Sequence, residues 1–350
     1  MVIDANLYWM PERIFQDKVW LEKFIACACR YGVYAQVQEM VGSSKKQIII
    51  EKPRGCQNLN YVEGEYTAER QLADMDAAGV DQAILKTPGC QEWLDLELCR
   101  FFNNGMAKQV KAGKGRLQAL AVVPPYGTAE NLAELERCVK ELGIHGVQLS
   151  AHYGDKYLDD AVFRPFFRKV NELKLPVYVH HTGTPIEAAY LQDYNNLRRS
   201  YGRCADQAIA VGRELFSGMF EELPDLRMVH SMLGGGFFIL QNMMMPKPHN
   251  EKDSIKRFDF SGDDLRKYLV RNVFFEMSHA EPWGNIALES AIRILGADHV
   301  IFGSSYPVRR PWLLEGPDIV RSLDIRAEEK ALVLGGTAAK VYGIEGYNRG

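Results

Sequence analysis

The sequence lacks the cysteine spacing of a zinc clip or of a disulfide framework. Its seven cysteines are an odd number, and no two of them stand in a Cys-x-x-Cys pair. Cys27 and Cys29 are separated by one residue in a helix-like run, which is too close for an ordinary disulfide. We therefore expect free thiols in a reducing compartment, with the cytoplasm as the default location.

The sequence also lacks a targeting signal, a membrane span and a strong charge of either sign. No cationic segment followed by a long apolar run opens the chain, and the apolar stretches are interrupted by charges within about 18 residues. A net charge of -3 gives no basic surface for nucleic acid or anionic lipid. With 47% hydrophobic and 25% charged residues, the composition excludes disorder and predicts a globular protein with a sizeable core.

From about residue 68 onward, short apolar runs alternate with amphipathic segments, the pattern of repeated βα units. Leu117–Val123 is almost continuously apolar, as a strand buried on both faces requires. Eight strands with mostly helical connections favour a closed barrel over an open sheet. We predict an α/β fold, a (β/α)8 TIM barrel formed as a single domain by residues 1–350, with strands at Met1–Asp4, Val80–Leu85, Leu117–Val123, Gly146–Leu149, Val177–Val179, Arg227–Val229, Val273–Met277 and Val300–Phe302.

Two regions do not fit a bare barrel. Residues 12–66 contain a helix candidate at Asp17–Tyr31 and a possible hairpin around Val41–Ser44. We expect them to form an insertion after the first strand, placed over the barrel mouth. Residues 183–217 form a second long excursion, rich in Tyr, Asn and Arg. Loops of this length usually shape a site or a contact between subunits.

Several sequence blocks are similar to one known family, and they are spread from Ile3 to Ile344. They include Arg70–Leu85 (RQLADMDAAGVDQAIL), Leu175–His180 (LPVYVH), Leu233–Phe237 (LGGGF) and Phe302–Pro307 (FGSSYP). The chain resembles the amidohydrolase-related family, which includes the aminocarboxymuconate-semialdehyde and resorcylate decarboxylases. The resemblance implies a TIM barrel with its site at the carboxyl ends of the strands.

The resemblance also implies five positions for metal ligands, which the family fills with a His-x-His pair, two further histidines and an aspartate. In this chain the first pair falls at Asn6 and Tyr8, the third position at His180 and the last at Ser305. The fourth falls at Met232, or at His230 if the turn has slipped. Amide, phenol, thioether and alcohol groups are poor zinc ligands. We expect no tightly bound catalytic metal and no cofactor, with Zn or Mn in an atypical shell of His180, His230, Glu276 and His279 as the alternative.

Barrel enzymes place their chemistry at the carboxyl ends of the strands, and this gives the candidate site residues. Tyr8 could instead be a packed aromatic ring, and Glu276 could instead be half of an ion pair. Arg309 or Arg310 could equally be in a solvated ion pair. Glycines 234–236 could bind an anion through their amides, although the resemblance favours a tight turn. We predict His180, Tyr8 and Glu276 as catalytic residues, and Asn6, His152, His181, His279, Ser305, Arg309 and Arg310 as substrate-binding residues.

Three functions remain open from the sequence. We favour an enzyme that uses acid–base chemistry on a small cyclic or aromatic carboxylate, and a carboxy-lyase over a hydrolase of a lactone or amide. Decarboxylation needs only a positioned acid, whereas hydrolysis without the aspartate would leave water activation to an imidazole. The alternatives are a metal-dependent hydrolase with an unusual ligand set and an inactive relative that binds a ligand or partner. A homodimer or homotetramer is possible.

Overall fold

The computed structural model describes residues 1–245 and 265–345, and their central feature is a closed barrel of eight parallel strands. The barrel closes between its first and last strands, where Leu7 bridges to Tyr306 and the Ala5 amide donates to the Phe302 carbonyl at 3.0 Å. This confirms the predicted fold. Numbered one to eight around the barrel, the strands are Ile3–Tyr8, Gln82–Lys86, Leu117–Ala119 continued by Ala121–Val122, Val147–Ser150, Pro176–His180, Arg227–His230, Val273–Glu276 and Val300–Ile301.

Strand one runs further than the sequence indicated, because it continues through Tyr8. All six of its side chains are buried, since alternate residues face the barrel axis and the surrounding helices. Asn6 and Tyr8 therefore lie within the strand and not beyond it. They share one face, which points toward the axis at the carboxyl end of the barrel.

Helices cover the outside of the barrel, and their buried faces follow the 3.6-residue period. In Leu96–Ala112, which Asp95 caps at its N-terminus, the apolar side chains of Leu98, Phe102 and Met106 are buried against the strands. The α-helices are Arg13–Gln16, Lys18–Arg30, Ala68–Ala78, Leu96–Ala112, Ala129–Lys140, Arg164–Glu172, Arg203–Phe216, Met219–Glu222, Met232–Met244, Arg266–Arg271, Asn285–Leu295, Arg310–Ser322, Ala327–Ala331 and Thr337–Tyr342. Short 3₁₀-helices occupy Ala161–Phe163, Ala189–Leu191 and Glu281–Trp283. Short π-helices occupy Leu197–Gly202 and Leu332–Gly336.

Residues 12–66 form a layered unit beside the mouth of the barrel. Helix Lys18–Arg30 precedes an antiparallel sheet of three strands, Tyr34–Glu39, Lys46–Glu51 and Gln57–Val62. Ile48 and Ile50 alternate with half-buried residues in the middle strand, so one face of this sheet packs on the core. A shorter antiparallel pair, His152–Tyr153 with Lys156–Tyr157, follows strand four.

The glycine run after strand six makes a turn. Leu233 to Gly236 all have left-handed backbone angles, so the regular part of helix Met232–Met244 begins only after them. A Cβ atom on Gly235 would lie 1.7 Å from the Cys204 carbonyl oxygen. Glycine is therefore required there both by the left-handed backbone and by close packing against helix Arg203–Phe216.

Two further expectations concern the cysteines and the membrane. All seven cysteines are free. Within the described residues, no helix combines the length and the apolar character needed to cross a bilayer. The prediction of one domain over residues 1–350 stays a prediction.

Candidate functional site

A cavity opens at the carboxyl ends of the strands, where barrel enzymes carry their sites. Its floor comes from strands one and five and from the segments after strands seven and eight. Its upper wall comes from the 12–66 unit and from the segment after strand five. The lining residues are Tyr8, Asn58, Leu59, Gly89, Glu92, His180, His181, Thr182, Gly183, Arg199, Arg203, Ser278, His279, Ser305, Val308 and Trp312.

The floor of the cavity contains a direct contact between two predicted catalytic residues. The Tyr8 hydroxyl lies 2.8 Å from Nε2 of His180, and both side chains are buried. Nδ1 of His180 lies 2.6 Å from the His181 carbonyl oxygen, which can only accept. Nδ1 therefore carries the ring proton, and Nε2 is the acceptor for the phenol. The structure places Tyr8 as a hydrogen-bonded donor facing the cavity.

Burial sets the protonation state of this pair. It lowers the pKa of His180 to about 3, with a further lowering by the Lys86 charge, so the imidazole is neutral near pH 7. It raises the pKa of the Tyr8 phenol, against the lowering effects of Ser305 and Arg203. At rest the shared proton thus belongs to Tyr8.

Two more histidines predicted to bind substrate line the same cavity. His181 packs edge-on against His180, and its pKa is lowered by burial and by its neighbour. His279 stacks on Trp312 with ring centroids 4.0 Å apart, and burial lowers its pKa to about 4. Nδ1 of His279 is buried and has no hydrogen-bond partner in the part of the chain that the structure describes.

Beneath the floor lies a layer of polar side chains that hydrogen-bond to one another, although the Asn6 Oδ1 atom has no hydrogen-bond partner among the described residues. The Asn6 amide nitrogen donates to Glu276 and to the Ser305 hydroxyl, both at 3.0 Å. The Tyr178 hydroxyl donates to Glu276 at 2.7 Å. Of this layer, only Ser305 reaches the cavity. Asn6 therefore supports the floor and does not bind substrate directly, which corrects its predicted role.

Glu276 also differs from its predicted role as a catalytic residue. Its carboxylate is fully buried and accepts from Tyr178, Asn6 and the Ser278 amide, and it neither lines the cavity nor contacts His180. Burial raises its pKa, while the Lys86 charge lowers it. Glu276 is therefore a buried carboxylate held by hydrogen bonds within the charge field of Lys86, and not an acid or base in contact with the cavity.

Lys86, at the end of strand two, is the cation of this layer and was not predicted. Its Nζ lies 3.1 Å from the centroid of the Tyr178 ring, within cation–π range, and 5.6 Å from that of Tyr8. Burial lowers its pKa well below the usual value, and Glu276 and Asp4 raise it. A lone lysine at the end of the apolar run Gln82–Lys86 was the signal available in the sequence.

Three predicted substrate-binding residues lie away from the cavity. His152 contacts the carbonyls of Gly154 and Thr184 at 3.0 and 3.1 Å and lies 3.6 Å from Asp206. Arg310 is paired with Asp74 at 2.8 Å, and Arg309 lies 3.7 Å from Glu281 and over the Trp312 ring. His152 also contacts the hydroxyl of the lining residue Thr182 at 2.8 Å. Arg309 and Arg310 pair outside the site, because the segment after strand eight turns outward into helix Arg310–Ser322.

The arginines that do line the cavity are Arg199 and Arg203, on the segment after strand five. Arg203 donates to the Asn58 side-chain oxygen at 2.7 Å. Neither arginine makes an ion pair with any carboxylate in residues 1–245 or 265–345. Burial lowers the pKa of Arg203 to about 10 and also lowers that of Arg199, and both remain charged near pH 7.

Neither candidate for the fourth metal-ligand position, His230 or Met232, lines the cavity. His230 lies in strand six with no exposure, hydrogen-bonded to Gln207 at 3.0 Å and to Glu214 at 2.9 Å. Met232 does not line the cavity. The alternative shell of His180, His230, Glu276 and His279 does not form, since His230 and Glu276 each have partners outside the cavity. No cluster of three or more His, Cys, Asp or Glu side chains suited to a metal ion occurs among the described residues.

Comparison with known proteins confirms the resemblance found in the sequence. A family profile described as Amidohydrolase matches residues 63–344. The chain is 25% identical over 250 residues to the 2-amino-3-carboxymuconate-6-semialdehyde decarboxylase of Dictyostelium discoideum, covering 71% of this chain and 67% of that protein. It is 26% identical over 277 residues to the gamma-resorcylate decarboxylase of Rhizobium sp. (strain MTP-10005), covering 71% and 83%.

Solved structures show the same fold. The 5-carboxyvanillate decarboxylase of Sphingomonas paucimobilis superposes with a TM-score of 0.75 at 22% identity, covering 98% of this chain and 99% of that one. A dihydroxybenzoic acid decarboxylase from Polaromonas sp. JS666, solved with bound manganese and an inhibitor, has a TM-score of 0.68 at 20% identity and covers 99% and 97%. Manganese in such a relative contradicts the expectation of a site without a cofactor.

The donors in this chain do not match the ligand set that the resemblance implies for a metal. Asn6 is bound to Glu276 and Ser305 beneath the floor, and the Tyr8 hydroxyl is bound to Nε2 of His180, the nitrogen that faces the cavity. Nδ1 of the same histidine is bound to a carbonyl. The side chains at these positions therefore hydrogen-bond to one another or to the backbone. Their protonation states and hydrogen bonds define the chemistry that the chain itself supplies.

Proposed function

This chain belongs to the amidohydrolase family, and on that premise we propose that it is a carboxy-lyase acting on a small aromatic or other cyclic carboxylate. The observation that carries the proposal is the Tyr8–His180 pair, a proton donor on the floor of a cavity whose wall holds two arginines that pair with no carboxylate among the described residues. Its relatives include decarboxylases of gamma-resorcylate and of aminocarboxymuconate semialdehyde, which favours a lyase over a hydrolase. We also propose a cytoplasmic location, and a homodimer or homotetramer stays a prediction.

In this reaction the bond between a ring carbon and its carboxylate breaks, CO2 leaves, and the carbon gains a proton. Tyr8 is placed to donate that proton, because its hydroxyl faces the cavity and holds the proton at rest. The negative charge of a bound carboxylate favours protonation of the nearby His180 by solvent. The imidazolium Nε2–H then returns a proton to the Tyr8 oxygen, so one solvent proton is consumed per turnover.

The cavity walls orient the ring and limit water. Trp312, Leu59 and Val308 offer apolar surface for a flat ring, and the Nδ1 atom of His279 offers a hydrogen bond to a ring substituent. Arg199 and Arg203 supply the positive charge that attracts an anion. A positioned proton donor in such a site contributes about 10²- to 10⁴-fold to the rate.

The test is a panel of hydroxybenzoates and related cyclic acids, incubated with the protein in the presence of Mn²⁺ and followed by chromatography and CO2 release. We expect at least one acid to lose a carboxylate. For that acid, Tyr8→Phe should lower kcat by at least about 100-fold, and His180→Gln should lower it similarly.

Tyr126→Phe is the matched control, because Tyr126 packs against Tyr153 and Phe163 and is not part of the cavity lining. It should leave kcat unchanged. Turnover by Tyr8→Phe within about threefold of the wild type would show that the proton comes from another group. A panel in which no acid loses CO2 would contradict the carboxy-lyase proposal.

A further inference from the structure

The two arginines of the cavity wall lie on one segment that reaches across the barrel mouth. Arg199 belongs to the turn Leu197–Gly202, and Arg203 begins the helix Arg203–Phe216. The neighbouring Arg198 anchors this segment, since its buried guanidinium donates to the Gln57 carbonyl at 3.0 Å and to Asn195 at 2.9 Å. The two lining arginines are thus held over the cavity by a side chain that does not itself line it.

Within residues 1–245 and 265–345, no carboxylate balances the positive charge of the cavity wall. Glu92 is the carboxylate in the lining, and Lys52 pairs with it at 2.8 Å. Arg199 and Arg203 therefore leave two positive charges without a carboxylate among the described residues. A bound anion would neutralise them.

The chemistry of decarboxylation decides which anion this is. The leaving carboxylate loses its charge as it becomes CO2, so an arginine fork bound to it stabilises the substrate more than the transition state. Such a contact would lower the rate. An arginine fork bound to a group that keeps its charge stabilises both states equally and contributes to binding without that penalty.

We propose that Arg199 and Arg203 bind a second carboxylate that stays on the product, so that the substrate is a cyclic dicarboxylate. This inference rests on the proposed function and specifies its substrate class. The leaving carboxylate then lies over the Tyr8–His180 pair, where the floor offers neutral groups. The retained carboxylate lies under the 197–203 segment, where Asn58 steadies the guanidinium of Arg203.

The experiment compares two acids that differ in one carboxylate. Salicylate and 4-hydroxyisophthalate both carry a carboxylate next to a hydroxyl group. Only 4-hydroxyisophthalate has a second carboxylate, which is para to the hydroxyl group. We expect kcat/KM for the dicarboxylate to be higher by at least about tenfold, the effect of one charge-assisted hydrogen bond. Arg199→Gln and Arg203→Gln should raise KM for the dicarboxylate by about tenfold and should raise KM for salicylate by a clearly smaller factor, since salicylate loses only the general attraction of the positive charge.

Arg309→Gln is the matched control, because Arg309 faces Glu281 outside the cavity, and it should change neither substrate. Equal kcat/KM for the two acids in the wild type would overturn the inference and leave the carboxy-lyase proposal standing. Equal losses for both acids in the arginine variants would also overturn it, since the arginines would then act on the leaving carboxylate or on the fold.

A binding measurement keeps the inference testable if neither acid is turned over. Calorimetry with isophthalate and benzoate, which lack the hydroxyl group, measures how the arginines affect binding affinity when no reaction takes place. Isophthalate should bind at least about tenfold more tightly than benzoate, and Arg203→Gln should remove the difference. Equal affinities for the two acids would refute the second-carboxylate site whatever the fate of the proposed reaction.

Discussion

The buried pair of His230 and Glu214 gives the sharpest prediction, because the sequence left His230 between a metal ligand and a core residue. Gln207 uses its amide nitrogen on the Val179 carbonyl, so its oxygen faces Nδ1 of His230 at 3.0 Å. Nε2 lies 2.9 Å from the Glu214 carboxylate. Both ring nitrogens are thus used on core side chains, and the geometry joins His230 to the Glu214 carboxylate as a buried pair.

The perturbation is His230→Leu, which removes the partner of the Glu214 carboxylate and leaves that carboxylate buried. His230 has 0% and Glu214 1% exposure, so water cannot replace the lost partner. Removing one member of such a pair costs about 3–5 kcal/mol of unfolding free energy. Replacing both members with leucine should recover much of that loss, because no charge is then left in the core.

Urea denaturation of the wild type, the two single variants and the double variant measures this coupling. Activity is assayed with Mn²⁺ present, well below the melting temperature of each variant. The His230→Leu variant should be destabilised and keep its kcat. A loss of less than about 1 kcal/mol, or additive losses in the cycle, would refute the assignment of a buried ion pair. A large fall in kcat at unchanged stability would place His230 in the reaction site.

Three further predictions follow from the geometry. Gly235→Ala should destabilise the protein severely, because the added Cβ would lie 1.7 Å from the Cys204 carbonyl oxygen. Gly236→Ala has open space around its Cβ and should cost only about 1–2 kcal/mol of backbone strain. Thermal unfolding of the two variants compares these losses. Burial lowers the pKa of His279 to about 4, so the unfolded chain binds a proton below pH 6.5 that the folded protein does not, and stability falls on acidification. His279→Asn should therefore reduce the loss of unfolding free energy between pH 6.5 and pH 4 by up to about 1.4 kcal/mol per pH unit, and an unchanged slope in denaturation experiments would contradict this. Arg310→Gln should cost less than about 1 kcal/mol and leave KM unchanged, since the ion pair of Arg310 with Asp74 is half-exposed and outside the cavity; a raised KM in steady-state assays would restore Arg310 to the site.

The barrel could be predicted because its strands are buried on both faces, and that burial appears directly as apolar runs. Leu117–Val123 was predicted as one strand, and the structure has Leu117–Ala119 and Ala121–Val122 there. The ends of the strands were less accurate, since polar residues at the barrel mouth are buried by each other and not by apolar neighbours. Strand one was therefore predicted to end at Asp4, although it continues to Tyr8.

The Tyr8–His180 pair could be predicted because both residues lie at strand ends, where position along the chain determines position in the barrel. The arginines could not be predicted in the same way. Arg309 and Arg310 lie on the segment that follows strand eight, and this segment turns outward. Arg199 and Arg203 lie far from a strand end and reach the cavity because the 183–217 excursion folds back. That path depends on contacts between Arg198 and the 12–66 unit, which are distant in sequence.

The state of the cavity wall also bears on whether the chain is an active enzyme or an inactive relative. In the layer beneath the floor, Asn6, Ser305, Tyr178 and Glu276 hydrogen-bond to one another, while Asn6 Oδ1 and Lys86 Nζ have no hydrogen-bond partner among the described residues. In the wall above it, the guanidinium groups of Arg199 and Arg203 have no counter-charge among the described residues, and Nδ1 of His279 has no partner there. Desolvated charges and unpaired polar atoms cost free energy unless a ligand pairs with them. Because both arginines line the cavity together with Tyr8, the arrangement favours a site that binds an anion and transfers a proton to it.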